Sequence, residues 1–73
     1  MPKLYSAKQV IKGLKRLGFI KISQRGSHIK MRGVMKGEIR TAIIPNHKQI
    51  AQGTLSSILK QANISKQELE MVI

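Results

Sequence analysis

Several residue types are absent or scarce, and each absence excludes a class of function. The 73-residue chain has no cysteine, no aspartate and no tryptophan, with one tyrosine and one phenylalanine. Without cysteine, the chain has neither a disulfide framework nor a thiolate metal site. Its only carboxylic side chains are three scattered glutamates, so it cannot cluster the carboxylates that a two-metal nuclease or a glycosidase requires. We expect neither a metal nor a cofactor.

Long apolar runs are also missing. None approaches the roughly 18 residues that span a bilayer, and the start, "MPKLYSAKQV", lacks the apolar core of a signal peptide. We therefore expect one soluble, cytoplasmic domain over residues 1–73 without a membrane association. Aliphatic side chains must fill its core because aromatic residues are so few.

Positive charge is the strongest compositional feature that is present. Fourteen lysines and arginines against three glutamates give a net charge of +11. Twelve of these basic residues lie within residues 1–50, where Glu38 is the only acid. Such a field attracts polyanions through counterion release and electrostatic steering, so nucleic acid is the expected partner.

The order of predicted elements is α-β-β-β-α followed by a short helix. Ser6 and Gln9 form a capping box that opens a helix over residues 7–17, and Gly18 ends it. Strands follow at Phe19–Gln24, 27–32 and Glu38–Ile44, with Gly33–Gly37 as a loose hairpin loop. This is an α+β fold with a three-stranded antiparallel sheet and its helices on one face.

The C-terminal third predicts two helices. Thr54 is the predicted N-cap of the first, which carries an apolar stripe, and Asn63 is suited to the left-handed conformation at its end. "SKQE", Ser65 to Glu68, is a second capping box. It opens a short last helix that contains Leu69.

The segment "RGSHIKM" carries the chemistry that the other residues leave available. After a turn at Arg25 and Gly26, alternation puts His28 on one face with Lys30 and Arg32, opposite Ile29. Histidine titrates near pH 6.5 and serves as general acid or general base. RNA supplies its own nucleophile, the 2′-hydroxyl, so its cleavage needs only a base, an acid and cations.

Other assignments stay open from the residues alone. One histidine cannot be base and acid at once unless it shuttles, and the second role falls to His47, Tyr5, a lysine or water. Four cations of the first helix are either a solvated face or phosphate ligands; they are Lys8, Lys12, Lys15 and Arg16. The rival function is a non-catalytic basic module that binds structured RNA, whereas no recognition helix favours DNA.

Four segments, "GLKRLGF", "RGSHIKM", "AIIPNH" and "QGTLSSILKQANIS", resemble the HicA family of toxins from HicA–HicB toxin–antitoxin pairs. The resemblance runs from about Val10 to Ser65. It implies a fold like the double-stranded-RNA-binding domain, metal-independent cleavage of mRNA, and growth arrest when the toxin is free. It also implies an HicB antitoxin that occludes the active site.

The resemblance places the family's catalytic histidine on His28 and its glycine-serine lead on Gly26 and Ser27, and it matches Pro45 and His47 less firmly. Our predicted site therefore has His28 as the catalytic residue, Gly26 as the active-site turn and His47 as a possible second acid or base. The predicted RNA and phosphate ligands are Arg25, Ser27, Lys30, Arg32, Lys12 and Lys15.

Overall fold

A computed structural model describes residues 3–73 of the chain. It has the predicted α+β order, and the three strands form one antiparallel sheet in the order β1-β2-β3. The elements are α1 (Ala7–Arg16), β1 (Ile20–Arg25), β2 (His28–Met35), β3 (Glu38–Pro45), α2 (Gln52–Ala62) and α3 (Lys66–Glu70).

Both predicted capping boxes are present. Ser6 accepts from the backbone of Gln9, whose side chain accepts from the backbone of Ser6, and Ser65 and Glu68 do the same for α3. Gly18 follows the end of α1 with a φ of 100°, a conformation that glycine adopts without steric cost. The first helix thus ends one residue earlier than the predicted residue 17.

Gly13 has a packing role that its helix propensity does not reveal. A methyl group at this position would lie 2.6 Å from side-chain atoms of Leu69 and Ile73. The glycine therefore lets α3 and the C-terminal residue approach α1 closely. Leu69 is fully buried in that contact region, so the interior glycine is explained by tertiary packing.

The alternation predicted for the second strand is confirmed at its start. Ile29 and Met31 are buried in the core, whereas His28, Lys30 and Arg32 are exposed on the outer face of the sheet. β1 differs, because all six of its residues are exposed and its pairing with β2 is irregular between Lys21 and Ser23. α1 and α2 pack against β3, which forms the opposite edge of the sheet from β1.

Two predicted boundaries are wrong, namely the end of β2 and the start of α2. β2 continues through Gly33 to Met35, and the hairpin turns at Lys36 and Gly37, both with positive φ. Gly33 is strand backbone because Phe19 packs against it, so the residue marks a close contact rather than a loop.

α2 begins at Gln52, two residues before the predicted N-cap Thr54. Ala51 is the N-cap, and it makes no side-chain capping bond. Thr54 instead lies within the first turn of the helix. Asn63 ends α2 in the left-handed conformation, as predicted. Within residues 3–73, no helix combines the length and apolar character needed to cross a membrane.

Candidate active site

His28 is the first residue of β2 and lies directly after the turn between β1 and β2. Its cross-strand neighbours are Arg25 on β1 and Pro45 on β3. Gly26 has a φ of 59°, and this positive φ lets the chain reverse within two residues. The imidazole is therefore presented on the exposed outer face, as the alternation predicted.

A cationic groove lies on one side of His28. It has a volume of about 290 Å³, and the sheet register brings Arg25 opposite His28 and Ser23 opposite Lys30. In residues 3–73 neither Arg25 nor Lys30 forms an ion pair. The lining residues are Ser23, Arg25, His28, Lys30 and Ile43. This groove has the charge and size to hold a phosphate.

Arg32 lies one row further along the same face and does not line this groove. Its Nε donates to Oγ1 of Thr41 across the sheet at 3.1 Å. Same-face residues on a strand are spaced by roughly 7 Å, so two such spacings separate Arg32 from His28. Ser27 is exposed in the turn.

A second groove, of about 380 Å³, lies on the other side of His28 and contains His47. Both histidines of the chain thus line one groove, although nineteen residues separate them in the sequence. The lining residues are His28, Ile43, Pro45, His47, Thr54, Ser57, Ile58 and Gln61. His47 is one of the alternatives that the sequence leaves open for the second acid or base.

Main-chain hydrogen bonds hold His47 in place. The amide of Asn46 donates to the carbonyl of Ser27 at 2.6 Å, and the amide of His47 donates to the carbonyl of Pro45 at 2.8 Å. The carbonyl of His47 in turn accepts from the amide of Ala7 at 2.9 Å. The loop is therefore attached both to the turn before His28 and to the start of α1.

The far wall of this second groove belongs to α2, which Arg40 anchors to β3. The guanidinium of Arg40 donates to the carbonyls of Lys60 and Gln61, each at 3.0 Å. The side chain of Gln61 accepts from the amide of Ile43 at 2.8 Å, which satisfies an edge-strand donor. These contacts fix α2 beside His28.

The sequence interpretation missed the polar residues of that wall. Thr54, Ser57 and Gln61 recur at a spacing of three and four residues, which places them on one side of a helix. Their stripe next to the apolar one was a visible signal. The prediction of Thr54 as the N-cap left this residue outside the helix, so the sequence interpretation did not indicate a polar side of three residues.

Three other candidates lie apart from His28. Lys12 and Lys15 are exposed on α1 in a separate groove. Tyr5 is largely buried, and its hydroxyl donates to Oε2 of Glu70 at 2.6 Å. That hydrogen bond, with burial and the negative charge of Glu70, raises the pKa of Tyr5. Within residues 3–73, no three histidine or acidic side chains cluster as a metal site would require.

A small basic α+β domain with two histidines in one groove has the features of a protein that acts on polyanions. The comparisons with known proteins go further. A family model for the HicA toxin of bacterial toxin–antitoxin systems matches residues 7–64, well over half of the chain. The protein therefore belongs to the HicA toxin family, as the resemblance implied. The comparison with curated proteins finds no match.

Family membership defines the biological role at a coarse level. The protein is the toxin of a toxin–antitoxin pair, and an HicB antitoxin is its implied partner. The matched residues include both histidines and all of the strands, so the grooves beside His28 lie within the family's common region.

Proposed function

We propose that the protein is a metal-independent endoribonuclease that cleaves mRNA, with His28 transferring a proton at the scissile phosphate. The observation that carries this proposal is the position of His28. It lies exposed between a cationic groove and a groove that contains the second histidine. A structural histidine of the core would instead be buried among apolar side chains.

The chemistry uses a nucleophile that RNA provides. A general base takes the proton of the 2′-hydroxyl, and the oxygen attacks the adjacent phosphorus. The bond from phosphorus to the 5′-oxygen then breaks while a general acid gives that oxygen a proton. The products are a 2′,3′-cyclic phosphate and a 5′-hydroxyl. One general acid–base group contributes on the order of 10²–10⁴ in rate.

Each groove has a part in this scheme. His28 serves as base or acid, and His47, which lines the same groove, takes the complementary role. Arg25 and Lys30 bind the phosphate and stabilise the charge that develops on it, because preorganised cations act most strongly where charge forms. Gly26 supports the turn that presents His28.

Substitution of His28 tests the proposal. His28→Ala should lower cleavage by at least about 100-fold, measured on RNA in EDTA with the wild type in parallel. Because the side chain is exposed, unfolding free energy should change by less than about 1 kcal/mol. RNA binding should persist, since it rests mainly on the lysines and arginines.

His47→Ala separates the two proton-transfer roles. Its hydrogen bonds to Pro45 and Ala7 are all main-chain bonds, so the substitution leaves the loop attached. We expect one limb of a bell-shaped pH–rate profile to disappear, as loss of one of two titrating groups requires.

Three results would each reject one part of the proposal. Cleavage at the wild-type rate by a folded His28→Ala protein would show that His28 is an ordinary strand residue. RNA that is tightly bound but left intact by the wild type would support the non-catalytic module instead. Products that carry a 5′-phosphate would exclude attack by the 2′-hydroxyl.

A further inference from the structure

The outer face of α1 is a basic surface that the chemistry at His28 does not use. Lys8, Lys12 and Lys15 are all exposed, and their spacing of four and three residues puts them on one side of the helix. They line an open groove of about 380 Å³ together with Ile11 and Arg16. We call the three lysines the helix track.

Lys8 and Lys12 oppose the stability of their own helix, whereas Lys15 lies in the last turn, where the helix dipole favours a cation. Like charges four residues apart repel on a helix surface. Lys8 also lies in the first turn, where the positive end of the helix dipole disfavours a cation, and no acid occupies that turn. The ion pair found in residues 3–73 joins Lys36 to Glu68 and involves no lysine of the helix track. A polyanionic ligand accounts for charges that the fold leaves uncompensated.

A third groove lies between the helix track and the groove that contains both histidines. This third groove, of about 460 Å³, is lined by Ser6, Lys8, Asn46, His47 and Lys48. It shares His47 with the groove beside His28, and it shares Lys8 with the groove on α1. The three grooves are therefore successive neighbours from His28 to the outer face of α1.

We infer that the RNA strand cleaved at His28 continues past His47 and lies along the helix track. This inference rests on the proposed function, and it adds the course of the substrate beyond the scissile phosphate. Tyr5 and Phe19 are both buried, so neither offers this strand a stacking surface along the helix track. The contacts along the track are therefore with phosphates, which carry no sequence information.

A matched pair of variants separates this path from the general effect of net charge. The track variant is Lys8→Ala with Lys12→Ala and Lys15→Ala. The control variant removes three lysines from other elements, through Lys36→Ala, Lys60→Ala and Lys66→Ala. Both variants carry three fewer charges than the +11 of the native chain, and alanine preserves helix propensity.

Binding is measured first, with each set of substitutions combined with His28→Ala so that the RNA stays intact. The probe is single-stranded RNA of about 20 nucleotides, more than the roughly 4–16 that comparable single-strand modules cover. We expect the track variant to lose at least 10-fold in affinity. Its slope of log affinity against log salt should fall by about 2, from roughly 0.7 per phosphate contact. The control variant should change much less.

Cleavage by the otherwise native chain gives the second readout. On the long RNA, the track variant should raise KM and leave kcat unchanged, because the lost contacts are remote from the reacting phosphate. On a dinucleotide, which cannot reach α1, the track variant and the native chain should cleave equally well.

Equal losses of affinity in the track and control variants would overturn the inference and leave the nuclease standing. A track variant that is equally impaired on the dinucleotide would also overturn it, since the lysines would then act at His28. If the native chain cuts no RNA, the proposed function fails, yet the binding comparison still decides whether RNA occupies the track.

Discussion

At the scale of single residues, two glycines occupy opposite environments. A methyl group on Gly33 would lie 2.9 Å from the ring of Phe19 and 3.0 Å from the carbonyl oxygen of Gly18. Backbone and an aromatic ring cannot move away as a flexible side chain does. Gly53, in the first turn of α2, has open space around it.

These environments predict opposite effects of the same substitution. Gly33→Ala should destabilise the protein by about 1–3 kcal/mol, because it overpacks a filled site. Gly53→Ala should stabilise it by up to about 1 kcal/mol through helix propensity. Urea unfolding of both variants measures the difference, and equal stability of the two would contradict the packing of Phe19 on Gly33.

The two histidines show how far the sequence predicts the site. Alternation alone put His28 on the outer face with Lys30 and Arg32, because a strand's period is local. The position of His47 depends instead on main-chain bonds from Asn46 to Ser27 and from Ala7 to the loop. Such long-range contacts have no local pattern, so the shared groove could not be predicted.

At the scale of elements, the short helix α3 depends on its N-terminal cap. The amide of Ser65 donates to Oε1 of Glu68 at 2.9 Å, and the Nζ of Lys36 lies 3.4 Å from the same oxygen. The bond from Ser65 is the main cause that lowers the pKa of Glu68, with a further contribution from Lys36. The charged carboxylate of Glu68 therefore caps the N-terminus of α3 and links this helix to the turn between β2 and β3.

This lowered pKa predicts the pH dependence of Glu68→Gln. A carboxyl group whose pKa is depressed by folding stabilises the protein above its unfolded pKa, and that contribution disappears as pH falls through the folded pKa. The native chain should therefore have the higher Tm at neutral pH. The two Tm curves should converge in acid, below the ordinary glutamate range near pH 4.

The exposed Glu38 supplies the control for this comparison. Among the hydrogen bonds and ion pairs of residues 3–73, none involves its carboxylate. Glu38→Gln removes the same charge without breaking a cap. A Tm difference for Glu68→Gln that persists unchanged at acid pH would assign the effect to packing rather than to the carboxylate.

Element boundaries were predicted where local signals determine them and missed where packing does. The capping boxes at Ser6 and Ser65 located two helices because those hydrogen bonds span three residues. The predicted loop at Gly33–Gly37 and the predicted cap at Thr54 were wrong. Phe19 explains the first glycine, and the contact of Gln61 with the edge of β3 helps to hold α2 in place.

At the scale of the whole molecule, the charge of +11 is the dominant property. All three strands of the protein and α1 lie within the first fifty residues, which carry twelve of the fourteen basic residues. Both histidines therefore lie in the most positive part of the chain. An antitoxin that covers this surface needs acidic or acceptor-rich groups opposite it, because complementary potentials direct association.

Association with the HicB antitoxin should therefore depend strongly on salt. Electrostatic steering raises association rates by roughly 10- to 1,000-fold and weakens as ionic strength rises. We expect the on-rate to fall at least about 10-fold between low and physiological salt, and the off-rate to change much less, because dispersed charges act mainly on encounter. Stopped-flow mixing of toxin and antitoxin measures both rates.

The variant Lys36→Ala, Lys60→Ala, Lys66→Ala reduces the charge but leaves the two grooves beside His28 intact. It should show a slower on-rate and a shallower salt dependence. An on-rate that stays constant with salt would mean that association does not depend on this charge.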